Sequence, residues 1–246
     1  GAGFGYIGST ITSLIYASFT FIFFALEAAI MAMALHILFG ISLAIGYVIS
    51  ALLVLPLVTH GISYISRFQV WSQPIWVILQ LVPLLFVFQH PDSNFKDWIA
   101  FTGIGENETE ARNFNLLLFG SASAILLSLV AQIGEQVDFL RFLPERPKAG
   151  RFKWWLALIA AGPGWIFFGA LKLFLGSFLA YFALTQGVDI DLADDPAHMY
   201  NLAFSLVFDN PTISLIVACS FVVISQLKIN VANAYAGSLA WSNFFS

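Results

Sequence analysis

Charge is the scarcest property of this sequence. Only 10% of its 246 residues are Asp, Glu, Lys or Arg, against roughly a quarter in a soluble domain. So little charge excludes an ordinary soluble globular protein. Cysteine is rarer still: the one thiol, Cys219, sits in an apolar stretch, so no disulfide framework is possible. The net charge of −4 says nothing of nucleic acid, but there is no basic arm and no phosphate-binding loop, so none is expected among the partners. The four histidines, His36, His60, His90 and His198, fall near span ends or in loops at no metal-ligand spacing. With no nucleophile–base pair either, an intramembrane enzyme is a weak reading, and neither metal nor cofactor is implied. An initiator Met and a secretory leader are also missing. The opening GAGFGYIGST reads as a loop entered inside a protein, and the chain stops abruptly at Ser246. The expectation is a segment of a larger protein, with further helices before and after it.

What the chain has instead is apolar length. Hydrophobic residues make up 59% of it, and the mean hydropathy is +0.86. Runs of about 18 or more apolar residues recur, each able to cross a hydrocarbon core of roughly 30 Å as a helix. Lipid offers no hydrogen bonds to the backbone, so only helices or a closed barrel can span it. Long continuous runs, rather than short alternating ones, select helices. The sequence therefore predicts an all-α integral membrane protein with about six transmembrane helices, near 11–38, 41–58, 70–88, 114–136, 154–184 and 212–241. Pro74 and Pro83 should bend the third, and GPG at 162–164 should break the fifth. GISYISRFQ at 61–69 is expected to be a short amphipathic stretch on the surface between spans.

Loop charge sets the orientation. After the fourth span come Arg141, Arg146, Lys148, Arg151 and Lys153. The loop after the third span carries Asp92, Asp97, Glu106, Glu108 and Glu110 against Lys96 and Arg112. The loop after the fifth carries Asp189, Asp191, Asp194, Asp195 and Asp209 with no base. Lys and Arg mark the cytoplasmic side, so the N-terminus of the segment is expected inside. Arg67 then falls on a cytoplasmic loop, which agrees. The sequon at Asn107 lies in an outside loop and carries no weight, since such triplets are common by chance.

Polar residues interrupt the spans. A charged side chain near the bilayer centre costs at least about 2.5–3.5 kcal/mol and usually faces a cavity or a partner. Phe23 and Glu27, four apart, project from one face of the first span. Gln132, Glu135 and Gln136 share a face of the fourth; Ser225 and Lys228 share one of the sixth, and Asn230 and Asn233 another. Gln132 and Gln136 can equally be hydrogen-bonding links between helices, and Lys172 reads as a snorkelling or locally paired lysine. Glu27 and Lys228 lie too deep for snorkelling; they read as cavity residues and can neutralise each other. Ala25, Ala28, Ala29, Ala32 and Ala34, with Ala232, Ala234, Ala236 and Gly237, supply seams for close helix approach. Such a bundle suits a midplane binding cavity.

Three stretches resemble the nucleobase–cation symporter family, the purine, cytosine, allantoin and hydantoin permeases. GYIGSTITSLIYASFTFIFFALEAAIMAMAL is similar to its third transmembrane helix, VDFLRF at 137–142 to the signature after its sixth, and NVANAYAGSLAWSNFF at 230–245 to its eighth. The resemblance implies helices three to eight of an inverted-repeat transporter in a plasma membrane, in bacteria the inner membrane. It implies a small heterocyclic substrate, with Phe23 stacking on its ring, Glu27 bonding its edge, and Asn233, with Asn230 nearby, completing recognition alongside Gln132. Where hydantoin-type members carry a tryptophan on the sixth helix, 126–129 offers no aromatic ring. Lys228 falls on a hydroxyl position of the family's sodium site, with Ser225 beside it. It is expected to replace sodium as a built-in cation, or with Glu135 to carry a coupled proton. A sodium-independent permease working by alternating access is the function implied. The alternative is a transporter-like sensor that binds a heterocycle and signals through a further cytoplasmic domain. A purely structural membrane subunit would leave Glu27 and Lys228 without a reason.

Overall fold

The structure, a computed structural model, describes residues 3, 5–103, 114–128, 132–147 and 149–245, without the side chains of 128, 132–135 and 165. Among the described residues there are helices and no strands: α1 (Gly5–Phe39), α2 (Leu43–Thr59), α3 (Ile62–Gln89), α4 (Phe95–Ala100), α5 (Leu116–Ser128), α6 (Gln132–Leu140), α7 (Arg151–Ala161), α8 (Gly164–Thr185), α9 (Ile190–Ala193), α10 (Pro196–Ser205) and α11 (Pro211–Phe245). Four are long and apolar enough to cross a membrane: Gly5–Phe39, Ile62–Gln89, Ile166–Thr185 and Pro211–Phe245. The chain is a multi-pass membrane protein. The second expected span is α2, only 17 residues long. The fourth is described as α5 and α6, with 129–131 outside the described residues. The fifth is two helices parted at Gly162, whose φ of −97° and ψ of −111° leave the helical region, where the GPG sequence places the break.

The stretch 61–69 is not a separate surface element. It forms the first turns of α3, which starts after Gly61 in the left-handed region at φ +75°. Ile65 is buried with Val54 and Val231, and Phe68 packs on the same cluster. Its amphipathic pattern arises from burial against protein on one side rather than from a water–lipid boundary.

Short polar residues punctuate the chain as their chemistry requires. Ser42 caps α2 by accepting from the Ile45 amide, Asp195 caps α10 ahead of Pro196, and Asn210 accepts from the Thr212 amide ahead of Pro211.

The described residues fall into two compact units, Gly1–Ser93 with Leu179–Ser246, and Asn94–Phe178. In the first, α1 and α11 run antiparallel along most of their length. At one end Ala34 packs among Ala218, Cys219, Phe221 and Val222; towards the other, Gly237 lies so close to α1 that a Cβ there would meet Thr20 Oγ1 at 2.6 Å. Helix α2 is pressed on α1 through Gly46, where a Cβ would stand 2.8 Å from Ala32 Cβ. In the second unit, Phe95 stacks on Phe178 at 4.6 Å, Trp98 meets Phe174 and Phe178 edge-on, and Trp98 Nε1 donates to Ser177 Oγ at 3.2 Å.

The core is mainly apolar, but burial differs from that of a water-soluble protein on both sides of the surface. Ile15, Ile22, Leu26, Ile78, Leu85 and Ile216 face outward, while Thr20, Ser50, Gln80, Gln226, Lys228, Asn230 and Asn233 are buried. Lipid tolerates apolar surface and penalises bare polar groups, so this distribution marks hydrocarbon as the outer solvent.

Candidate functional site

Helix α11 carries two polar faces. Two residues of α-helix turn through about 200°, so Lys228 and Asn230 point in nearly opposite directions. Gln226, Asn230, Asn233 and Gly237 recur at spacings of four, three and four and form one buried stripe. Gly237 fixes its direction, since it touches Thr20 and Phe21 of α1. Ser225 and Lys228 occupy the other side, towards α3.

The α3 side is fully partnered. The Lys228 ammonium donates to the Gln69 carbonyl at 3.1 Å and to Ser72 Oγ at 2.9 Å. The Gln69 amide donates back to the Lys228 carbonyl at 2.8 Å. Ser72 in turn donates to the Phe68 carbonyl at 2.6 Å, and the Phe68 ring lies 6.0 Å from Nζ. One turn further, Trp76 Nε1 donates to Ser225 Oγ at 3.1 Å. Beyond it, the Gln80 amide nitrogen lies 2.7 Å from the Tyr200 hydroxyl. Gln69, Ser72, Trp76 and Gln80 thus make a polar ladder on one face of α3. Lys228 is buried, as its depth in the sequence predicts, but its hydrogen bonds go to two neutral oxygens on α3. The expected neutralisation by Glu27 is corrected accordingly: Lys228 lies on the α3 side of α11, away from the stripe that faces α1.

The α1 side is different. Asn230 is 0% exposed, and among the described residues neither Nδ2 nor Oδ1 has a hydrogen-bond partner. Asn233, 1% exposed, has an unpartnered Nδ2, and Gln226 Oε1 and Ser50 Oγ are likewise buried and unpartnered. Ser50 follows Gly46 by one turn on α2 and precedes Val54, which packs on Val231, so it stands near the level of Lys228. Each unsatisfied buried group costs about 1–3 kcal/mol, and such groups are few in native proteins. Several gathered at one depth is a chemical feature rather than an accident of packing.

Phe23 and Glu27 share that depth. The Thr20–Gly237 contact and the Ala34 cluster bracket them, and interpolation at about 1.5 Å per residue sets 23–27 against 228–233. Both are half-buried. The Phe23 ring lies 4.6 Å from Phe19, tilted by 45°, and Phe19 stacks with Tyr16 at 6.2 Å. An aromatic row, Tyr16–Phe19–Phe23, therefore leads along α1 to the carboxylate of Glu27. The side chains of Gln132 and Glu135 lie outside the described residues. Lys172 is on the exposed surface of α8.

Sequence reasoning missed Gln69, Ser72, Trp76, Gln80, Tyr200, Ser50 and Gln226. The signal was present for the first four: spacings of three, four and four inside an apolar helix. Starting the third span at 70 cut off its first member. Among the described residues no group of three or more His, Cys, Asp or Glu is placed to hold a metal ion. The paired groups His198 Nδ1 and Asp195 Oδ1, 2.7 Å apart, belong to the cap of α10. No protein-family model, no curated protein and no solved structure matches the chain.

Proposed function

We propose that the chain is part of a sodium-independent permease for a flat, polar heterocycle of the nucleobase, allantoin or hydantoin kind, working by alternating access in an inverted-repeat helical fold. The observation that carries this reading is the amide of Asn230, wholly buried and with both ends unbonded among the described residues. An amide offers one acceptor and two donors, which matches the mixed edge of a nucleobase or hydantoin ring. Asn233 adds a donor, and the Phe23 row and Glu27 at the same depth supply a ring platform and an anionic acceptor. Sodium independence rests on Lys228. Its ammonium takes a carbonyl and a hydroxyl oxygen, the neutral ligands a hard cation would take, and its charge repels a second cation.

The test is uptake by the full-length protein in proteoliposomes, using labelled cytosine, uracil, allantoin, hydantoin and purines in sodium or choline buffer. Saturable uptake of one of them, equal in both buffers, is the expected result. Uptake that requires sodium would overturn the ion-site reading; no binding of any of them would overturn the substrate class. A second reading, a heterocycle sensor, is favoured by the crossed bonds between α3 and α11, which suit a receptor that need not cycle. Binding without uptake would select it.

A further inference from the structure

The loop from α6 to α7 and the first turns of α7 gather exposed cations beside exposed rings. Arg146, Arg151 and Lys153 are exposed, and among the described residues none has a carboxylate within ion-pair distance. No acidic residue stands in the first turn of α7. Phe142 is 52% exposed, Phe152 77% and Trp155 45%. The loop is held in place: Trp154 Nε1 donates to the Pro144 carbonyl at 2.7 Å, and the Arg141 guanidinium sits 5.0 Å over the Phe142 ring. Leu140 Cδ1 approaches within 3.5 Å of a Cβ position at Gly162, so the end of α6 lies against the end of α7.

Water satisfies the cations but not the rings, and a hydrocarbon core satisfies the rings but not the cations. Only the headgroup boundary of a bilayer serves both. The loop belongs there by connectivity, since α7, about 16 Å long at 1.5 Å per residue, joins it to the apolar span of α8. We propose that this loop and the start of α7 dock acidic phospholipids, Arg146, Arg151 and Lys153 holding headgroup phosphates while Phe142, Phe152 and Trp155 enter the acyl boundary. Charge complementarity selects the partner: unpaired arginines and a lysine beside a membrane attract anionic lipid, each adding to the electrostatic term. A soluble phosphate would use the cations and leave the rings unexplained. This surface is independent of the permease reading.

The test uses the full chain reconstituted in vesicles of phosphatidylcholine and phosphatidylglycerol in equal amounts. Transfer of tryptophan fluorescence to a dansyl group is compared with the dansyl carried on one lipid or the other. Transfer to phosphatidylglycerol should exceed that to phosphatidylcholine by about twofold or more, and the difference should vanish at about 1 M salt, where the screening length is about 3 Å. It should also vanish in the triple variant Arg146→Gln, Arg151→Gln, Lys153→Gln. The salt comparison needs no variant, so a misfolded triple variant leaves the test decisive. Equal transfer to both lipids overturns the proposal, as does a preference that survives in a folded triple variant. Loss of the preference on adding inorganic phosphate at constant ionic strength also overturns it, in favour of a soluble-anion site.

Discussion

Lys228 and Gln69 hold each other by crossed hydrogen bonds. The ammonium of Lys228 donates to the backbone carbonyl of Gln69 at 3.1 Å, and the side-chain amide of Gln69 donates to the backbone carbonyl of Lys228 at 2.8 Å. Each side chain thereby binds the other's main chain, so α3 and α11 are joined through their backbones. Pro74 lies just beyond and removes the amide that would bond the Val70 carbonyl, loosening α3 next to this junction. Among the described residues, the charge is hydrogen-bonded to two dipoles, Gln69 O and Ser72 Oγ, and no carboxylate lies within ion-pair distance of it.

Removing Ser72 should therefore matter only while the ammonium is present. Ser72→Ala should lower the unfolding free energy by about 1–2 kcal/mol in the wild type, as model peptides give for a hydrogen bond between membrane helices. In a Lys228→Met background the same change should cost much less. The coupling from the double-mutant cycle should be about 1 kcal/mol, near the upper part of the range measured between membrane helices. Thermal or denaturant unfolding in detergent reads it, and additive losses would mean that Lys228 does not depend on Ser72.

Close approach of helices gives a second expectation. A Cβ at Gly46 would stand 2.8 Å from Ala32 Cβ and 3.0 Å from Ala32 Cα; neither atom can rotate away. A Cβ at Gly237 would meet Thr20 Oγ1 at 2.6 Å, a side-chain atom that can give up its bond to the Ala17 carbonyl. Gly46→Ala should lower stability by about 1–3 kcal/mol through overpacking, and Gly237→Ala by less. Unfolding midpoints of the two variants compared side by side decide the order, and a larger loss for Gly237→Ala contradicts it.

The sequence made the broad class legible because apolar run length and charge scarcity depend on single residues and need no partner. It also located Lys228, Asn230 and Asn233, since a polar residue deep in an apolar helix is visible by itself. Direction was harder. That Lys228 faces α3 and Asn230 faces α1 follows from helical rotation, but which neighbour lies on which side depends on tertiary packing. Gln69 was lost because an amphipathic stretch looks the same against protein as at a lipid–water boundary. The orphaned state of Asn230 was invisible for a deeper reason: a missing hydrogen bond has no residue to mark it.

Alkaline pH should expose the Gln80–Tyr200 pair. Burial pushes the Tyr200 phenol up to about 12, with the Gln80 hydrogen bond acting in the opposite sense. In the unfolded chain a phenol ionises near about 10, so the folded state prefers the neutral form. Its contribution is fully present below about pH 10 and is lost as the pH rises towards about 12. Tyr200→Phe should flatten that part of the stability profile, measured as the unfolding midpoint at successive alkaline pH values. A wild-type and variant pair falling in parallel would contradict it.

The two readings of the α1-facing stripe, link between helices or ligand site, differ in sign when Asn230 is made apolar. A linking amide has partners, and its loss destabilises by about 1 kcal/mol. An amide with neither atom bonded has already incurred its desolvation cost, so Asn230→Leu, close in shape, should leave stability unchanged or raise it by about 1–2 kcal/mol. The same change should abolish heterocycle binding, because the site loses its donor and acceptor together. Asn230→Asp is the control for shape: it keeps the volume and removes the donors, so binding should weaken and shift towards rings rich in N–H groups. Unfolding midpoints and ligand titrations on the same preparations measure both quantities. If Asn230→Leu lowers stability while ligand binding survives, the stripe is a joint between helices and the substrate must be held elsewhere.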